Sequence, residues 1–165
     1  MATRRKVFYS FHYDRDSWRV QQVKNMGVVE GQRLLSSNDW EEVKKKGDAA
    51  IKEWIATEMK GKSCLVVLIG SETAGRPWVR YEIQKAWTDG KGVLGVDIHH
   101  LKNKDGKTDT RGANPFAALT LNGTAFSDVA RRHNPAGSTS SEVYASIEAS
   151  LPSWVEEAIA IRSRH

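Results

Sequence analysis

One cysteine, four prolines and no apolar run longer than Cys64–Ile69 set the first limits on this 165-residue chain. A lone Cys64 excludes an internal disulfide and suits a reducing compartment, so the chain is expected in the cytoplasm. The six residues Cys64–Ile69 are far too few to cross a bilayer. The basic start Arg4–Lys6 leads through Val7–Phe11 straight to His12, Asp14 and Asp16, too short an apolar stretch for a signal peptide.

Several chemical motifs are missing as well. Gly70–Gly75 imitates a phosphate loop, but Arg76 and Pro77 stand where a nucleoside-triphosphate site needs Lys and Ser or Thr. No GxGxxG follows a strand, no GxSxG elbow is present, and Gly70–Ser71 occupies the place of a receiver domain's phosphoacceptor aspartate. His99 and His100 are adjacent and would point to opposite faces of an extended chain, so no metal site is expected. The net charge of +5 is dispersed over Arg4–Lys6, Lys44–Lys46 and Arg162–Arg164, without aromatic residues interleaved on a basic strand. Such a pattern argues against nucleic-acid binding and is compatible with a small anionic ligand.

What is present alternates between two periodicities. Lys6–Phe11 is aromatic and β-branched, Cys64–Ile69 is continuously apolar, Gly92–Ile98 reads as another buried strand, and Val28–Leu35 is a weaker strand signal. Helices are expected at Ser17–Met26, over a long stripe from Asp39 to Lys60 capped by Asn38 and Glu41, and from Pro77 to about Asp89. Ala136–Ser141 reads as a linker, and Ser141–Ile161 as a helix interrupted at Pro152. This rhythm predicts one α/β domain over 1–165, its core about 5–119 and a C-terminal extension about 120–165. In a parallel sheet, ligands bind beyond the strands' carboxyl ends, where Phe11–Asp16, Gly70–Trp78 and His99–Asn114 should meet.

Trp78 and Glu82 lie four residues apart on the helix that begins at this edge, hence on one face. From spacing alone, the favoured reading is that Trp78 is core and Glu82 a surface partner of Lys85. The position at the ligand edge and the nearby Glu72 favour chemistry: an indole stacks on a flat base, and a carboxylate stabilises an oxocarbenium-like ribosyl centre.

Taken together, FYSFHY, VLIGSET, WVRYEI and RGANPF, in register between Lys6 and about Leu119, resemble the TIR-like proteins of the bacterial Thoeris anti-phage system, ThsB type. The resemblance implies a flavodoxin-like three-layer sandwich with a central parallel sheet and a C-terminal helical extension. It implies an enzyme that takes NAD as substrate rather than cofactor. Glu82 would be catalytic, Trp78 would stack on a base of the substrate, Phe11, His12 and Tyr13 would form one wall of the pocket, Ser71 its floor, and Asn114 a substrate contact. Cleavage of the nicotinamide–ribose bond would yield a cyclic ADP-ribose-type or other ADP-ribose-derived signal. That signal would activate a separate Thoeris effector after a phage trigger, with self-association as a further expectation. The loop after the second strand, where TIR domains carry a substrate-covering and assembly loop, is short here. This loop and the six tryptophans leave a non-catalytic interaction module as the alternative.

Overall fold

Cys64–Ile69 carries no charged side chain, and such a segment is stable only when covered on both faces. The computed structural model describes residues 4–121 and 123–165; residues 1–3 and 122, inside the expected domain 1–165, lie outside the described residues. The order is β1 (Lys6–Ser10), α1 (Tyr13–Asn25), β2 (Glu30–Gly31), α2 (Ser37–Lys45), α3 (Asp48–Met59), β3 (Cys64–Ile69), α4 (Pro77–Thr88) and β4 (Gly92–Asp97). A hairpin of β5 (Thr120–Leu121) and β6 (Thr124–Ala125), then β7 (Arg131–His133) and α5 (Ser140–Ser163), complete it.

The main sheet has strand order β2-β1-β3-β4-β7 and every pairing is parallel, with Ser10 opposite Val67 and Ile69 opposite Asp97. All six residues of β3 are buried. Cys64, Val66 and Leu68 pack with α1 and α5, while Leu65, Val67 and Ile69 pack with α3 and α4. This is the three-layer flavodoxin-like arrangement. Each fully buried aliphatic side chain contributes roughly 1.5–3 kcal/mol. No helix among the described residues is long and apolar enough to cross a membrane.

Four expectations change. The stripe from Asp39 to Lys60 is two helices: Gly47, at φ +93°, breaks it and stands at the start of α3. The cap of α2 is Ser36, whose hydroxyl accepts from Asp39 N, rather than the Asn38–Glu41 pair. Pro152 does not interrupt α5, which runs 24 residues from a Thr139–Glu142 capping box. The region after 120 is more than an appended helix, because β7 adds a fifth strand and α5 covers one face of β4 and β3.

The strand signal over Val28–Leu35 shrinks to the two residues of β2, and a side chain continues the edge. Gln32 accepts from Tyr9 N at 2.8 Å and donates to Tyr9 O at 2.9 Å, so its amide replaces the next backbone rung. Gly31 permits this close approach, since a Cβ there would lie 2.2 Å from the Tyr9 ring. At the opposite edge, Arg132 donates from Nε and Nη2 to Asp97 Oδ1 at 3.0 and 2.7 Å and from Nη2 to Gly112 O at 2.7 Å. Arg111 holds the other oxygen of Asp97 at 3.3 Å.

Asp97 is fully buried, so Arg132→Met should leave it with the more exposed Arg111 alone. A loss of about 3 kcal/mol is expected, measured as a lower urea midpoint. Asp97→Asn in that background should recover part of it.

Candidate functional site

Strand order reverses between β1 and β3, and at such a point the loops leave in opposite directions and open a crevice. A cavity of about 340 Å³ occupies it. Its walls come from Phe11–Asp14 after β1, Gln32–Leu35 after β2, Trp40 and Lys44 of α2, Trp54 of α3, and Arg76–Val79 with Glu82 of α4. Of the residues singled out from sequence, Phe11, His12, Tyr13, Trp78 and Glu82 line this one cavity.

Side chains on the β1 side form a continuous aromatic wall. Phe11 stacks on Tyr13 with centroids 5.8 Å apart, Tyr13 meets Trp40 at 5.5 Å, Trp40 meets Trp54 at 6.1 Å, and Trp54 meets Phe8 at 6.2 Å. The Tyr13 hydroxyl donates to Leu35 O, which ties α1 to the loop after β2. The helix α1 begins at Tyr13, earlier than the Ser17 expected, because the chain turns directly after β1 with His12 in the capping position. Asp16 N donates to His12 O at 2.9 Å. On the facing side, Trp78 sits edge-on to Tyr81 at 5.6 Å. Arg33, Lys44 and Arg76 supply positive charge to the lining, against Asp14.

Glu82 is not a surface partner of Lys85. Lys85 pairs with Asp89 at 3.0 Å, and Glu82 turns inward, 8% exposed. Its Oε1 accepts a 2.6 Å hydrogen bond from the Ser10 hydroxyl. Burial pushes its carboxyl up to about 8, and the Ser10 hydrogen bond acts in the opposite direction. Ser10 went unnoticed in the sequence, where it reads as one polar letter in KVFYS. Its signal is the period of the strand: Ser10 shares the face of Phe8, which packs with α3 and α4, and a serine there is a polar group turned inward. Gln32 and the cations Arg33, Lys44 and Arg76 were not singled out either.

Two expected residues lie elsewhere. Ser71 belongs to a neighbouring cluster, donating to Asp109 at 2.9 Å and accepting from Arg15 Nε at 2.9 Å. Arg15 also pairs with Asp109 and Glu72, each at 2.9 Å. Asn114 accepts from Phe116 N at 2.9 Å, so its side chain shapes the turn that places Phe116 in the core. Neither lines the cavity, and nor does any other part of His99–Asn114. That segment is held against α1 instead, where Arg19 donates to Leu101 O and Lys107 O at 2.8 and 2.9 Å. His99 and His100 do not diverge as on an extended strand. They follow β4 in a turn with rings 4.1 Å apart. Cys64 is buried at the start of β3, and burial pushes its thiol up, as befits a core residue.

A carboxyl raised to about 8 is neutral in the fold over a range where the unfolded chain ionises. The folded state therefore binds the extra proton, and stability falls as pH rises from about 4.5 through about 8. Glu82→Gln removes this term. Its Tm should be close to that of the parent protein at pH 4.5 and higher by on the order of 10 °C at pH 9, as read by calorimetry.

Residues 8–103, more than half of the chain, match the family described as Thoeris protein ThsB, TIR-like domain. The chain is also 38% identical over 120 residues to a Bacillus cereus (strain MSX-D12) protein named "Putative cyclic ADP-D-ribose synthase ThsB1". That alignment covers 70% of this chain and 62% of the relative, so the chain spans less than two thirds of that protein's length. A matching crevice fold and a family match that runs from β1 to the loop after β4 agree: this chain belongs to the ThsB TIR-like family of the Thoeris system.

Proposed function

We propose that the protein cleaves the nicotinamide–ribose bond of NAD and converts the ADP-ribosyl part into a cyclic ADP-ribose-type signal in Thoeris defence. The observation that carries this reading is the buried Glu82 carboxyl, held by Ser10 in a cavity walled by aromatic rings. Membership of the ThsB family supports it, as does the name of the Bacillus cereus relative.

In this reading a flat base stacks on Trp78 or on the Phe11–Tyr13–Trp40 wall, where aromatic contacts give roughly 0.5–1.5 kcal/mol beyond area burial. Arg33, Lys44 and Arg76 draw in the pyrophosphate, with His12 beside the ribose. The N-glycosidic bond breaks heterolytically. Nicotinamide leaves neutral with the bonding pair, and positive charge develops at the anomeric carbon. The Glu82 carboxylate, in a site of low dielectric, stabilises that charge as it forms. Capture by a nucleophilic atom of the same ADP-ribosyl unit, which loses a proton where it carries one, closes a ring; capture by water gives ADP-ribose. Ser71 and Asn114 enter this scheme only through the loops they shape, the former by anchoring Arg15 and the latter by seating Phe116. The product then acts on a separate Thoeris effector, which couples the two proteins through a small molecule after infection.

The interaction-module alternative drew on six tryptophans as interface material. Among the described residues Trp18 is the one large exposed hydrophobic, and Trp40, Trp54 and Trp78 face the cavity.

Purified protein incubated with NAD, alone and with extract of phage-infected cells, should release nicotinamide in at least the second condition, with product identified by mass spectrometry. Glu82→Gln should lower that release by 10²-fold or more while circular dichroism stays unchanged. Release by Glu82→Gln equal to the parent protein's would overturn the assignment. Silence of the parent protein in both conditions would favour the module.

A further inference from the structure

Glu82 has two carboxylate oxygens and one protein partner among the described residues. The hydroxyl of Ser10 reaches Oε1 at 2.6 Å from the last residue of β1, and Ser10 is itself 1% exposed. Both ends of this contact are rigidly placed. Ser10 is locked in parallel register with Val67 of β3, the central strand. Glu82 rides on α4 between Val79, Ile83 and Ala86, all buried against that sheet. The bond therefore joins the floor of the crevice to the helix that carries the carboxyl.

We propose that Ser10 is a positioning residue for Glu82: by donating to Oε1 it fixes the carboxylate's rotamer, leaving Oε2 for the cavity, and favours the charged form needed at a cationic ribosyl centre. This rests on the reading of Glu82 as the catalytic carboxylate. A side chain free to rotate among its χ wells spends only part of its time in any one geometry, and a hydroxyl donor selects the well in which Oε1 meets it. A hydrogen bond to an ionised group is about twice as strong as one between neutral groups, so the same contact works against the burial that favours the neutral acid.

Other charged groups do not take over this task. His12, Tyr13 and Asp14 approach the cavity from the β1–α1 junction, Arg33 from the loop after β2, Lys44 from α2, and Arg76 from the start of α4. The shift of Glu82 nevertheless has two causes, burial and the Ser10 bond. From α3, Lys52 lies over the Tyr81 ring. From β4, Asp97 is closed by Arg111 and Arg132. In β3, Cys64 packs into the cluster on the opposite face of the sheet.

The test follows the titration of Glu82 in the free protein, by the ¹³C resonance of its side-chain carboxyl, identified by its absence in Glu82→Gln. The parent midpoint is expected near 8. Ser10→Ala should raise it by about one unit, and Ser10→Thr, which keeps a hydroxyl, should stay with the parent. In nicotinamide release, Ser10→Ala should then lower kcat about tenfold at pH 7 with KM little changed, and recover toward parental kcat as pH passes the new midpoint. A midpoint unmoved in Ser10→Ala, a midpoint in Ser10→Thr as high as in Ser10→Ala, or a kcat loss equal at every pH would overturn the proposal. Failure of the catalytic reading shows separately: Glu82→Gln then releases nicotinamide like the parent, whatever the titration of Ser10→Ala.

Discussion

Placing the Glu82 carboxyl out of water is the constraint around which the crevice is arranged. A buried ionisable group costs free energy in its charged form, and the cost must be covered by the element that carries it. α4 covers it through apolar contact: Val79, Ile83, Ala86 and Trp87 of the same helix are buried in one cluster with Phe8, Leu65 and Val67. Pro77 in the first turn starts the helix without losing a needed backbone donor. Glu82 thus comes on the second turn, deep enough to be shielded and near enough to the strand ends to open on the cavity. Lys85, three residues further on, and Asp89, seven further on, reach the solvent side of the helix and pair with each other.

The aromatic wall deepens this effect. Phe11, Tyr13, Trp40 and Trp54 bring little charge and much area, so they keep the local dielectric low while offering faces to a flat ligand. Positive side chains are held at the rim: Arg33 and Arg76 are exposed and keep their hydration. A ligand with an apolar ring at one end and phosphate at the other matches this gradient. The short β2 strand contributes as well, because Gln32 mimics a backbone rung and frees the chain to cross the mouth of the crevice after only two paired residues. Gln32–Leu35 and, from α2, Trp40 and Lys44 line that side of the cavity.

How much of this was legible beforehand depends on the range of the interactions. β3 announces itself by continuous apolarity, β4 by an apolar run up to Val96, and the Trp78–Glu82 pair by helical spacing, all local properties of the chain. The break at Gly47 was not legible, because glycine fits an i, i+4 stripe and only its φ of +93° ends the helix. β7 was missed since Arg131–His133 carries no strand pattern; its place in the sheet comes from Arg132 reaching Asp97, 35 residues away. The loop after β4 was expected at the cavity from topology, yet Arg19, a buried arginine in an otherwise ordinary helix, binds that loop's carbonyls to α1. Ser10 and Glu82 are 72 residues apart. No short-range pattern pairs a strand serine with a helix glutamate; only the parallel register and the packing of α4 bring them together.

The state of the resting site follows from these same contacts. With its carboxyl raised to about 8, Glu82 is mostly neutral at pH 7, because burial outweighs the Ser10 hydrogen bond. A ligand bearing positive charge at its reacting end changes that balance, since an opposite charge within about 4–6 Å favours the carboxylate. Proton loss and ligand placement are then coupled, and a neutral ligand of the same shape gains no such help. The Ser10 hydroxyl sets how far this coupling must reach, because it already supplies one hydrogen bond that the anion uses better than the acid. Discrimination for a ligand with a cationic reacting end would therefore arise from the charge state of the site, in addition to its shape.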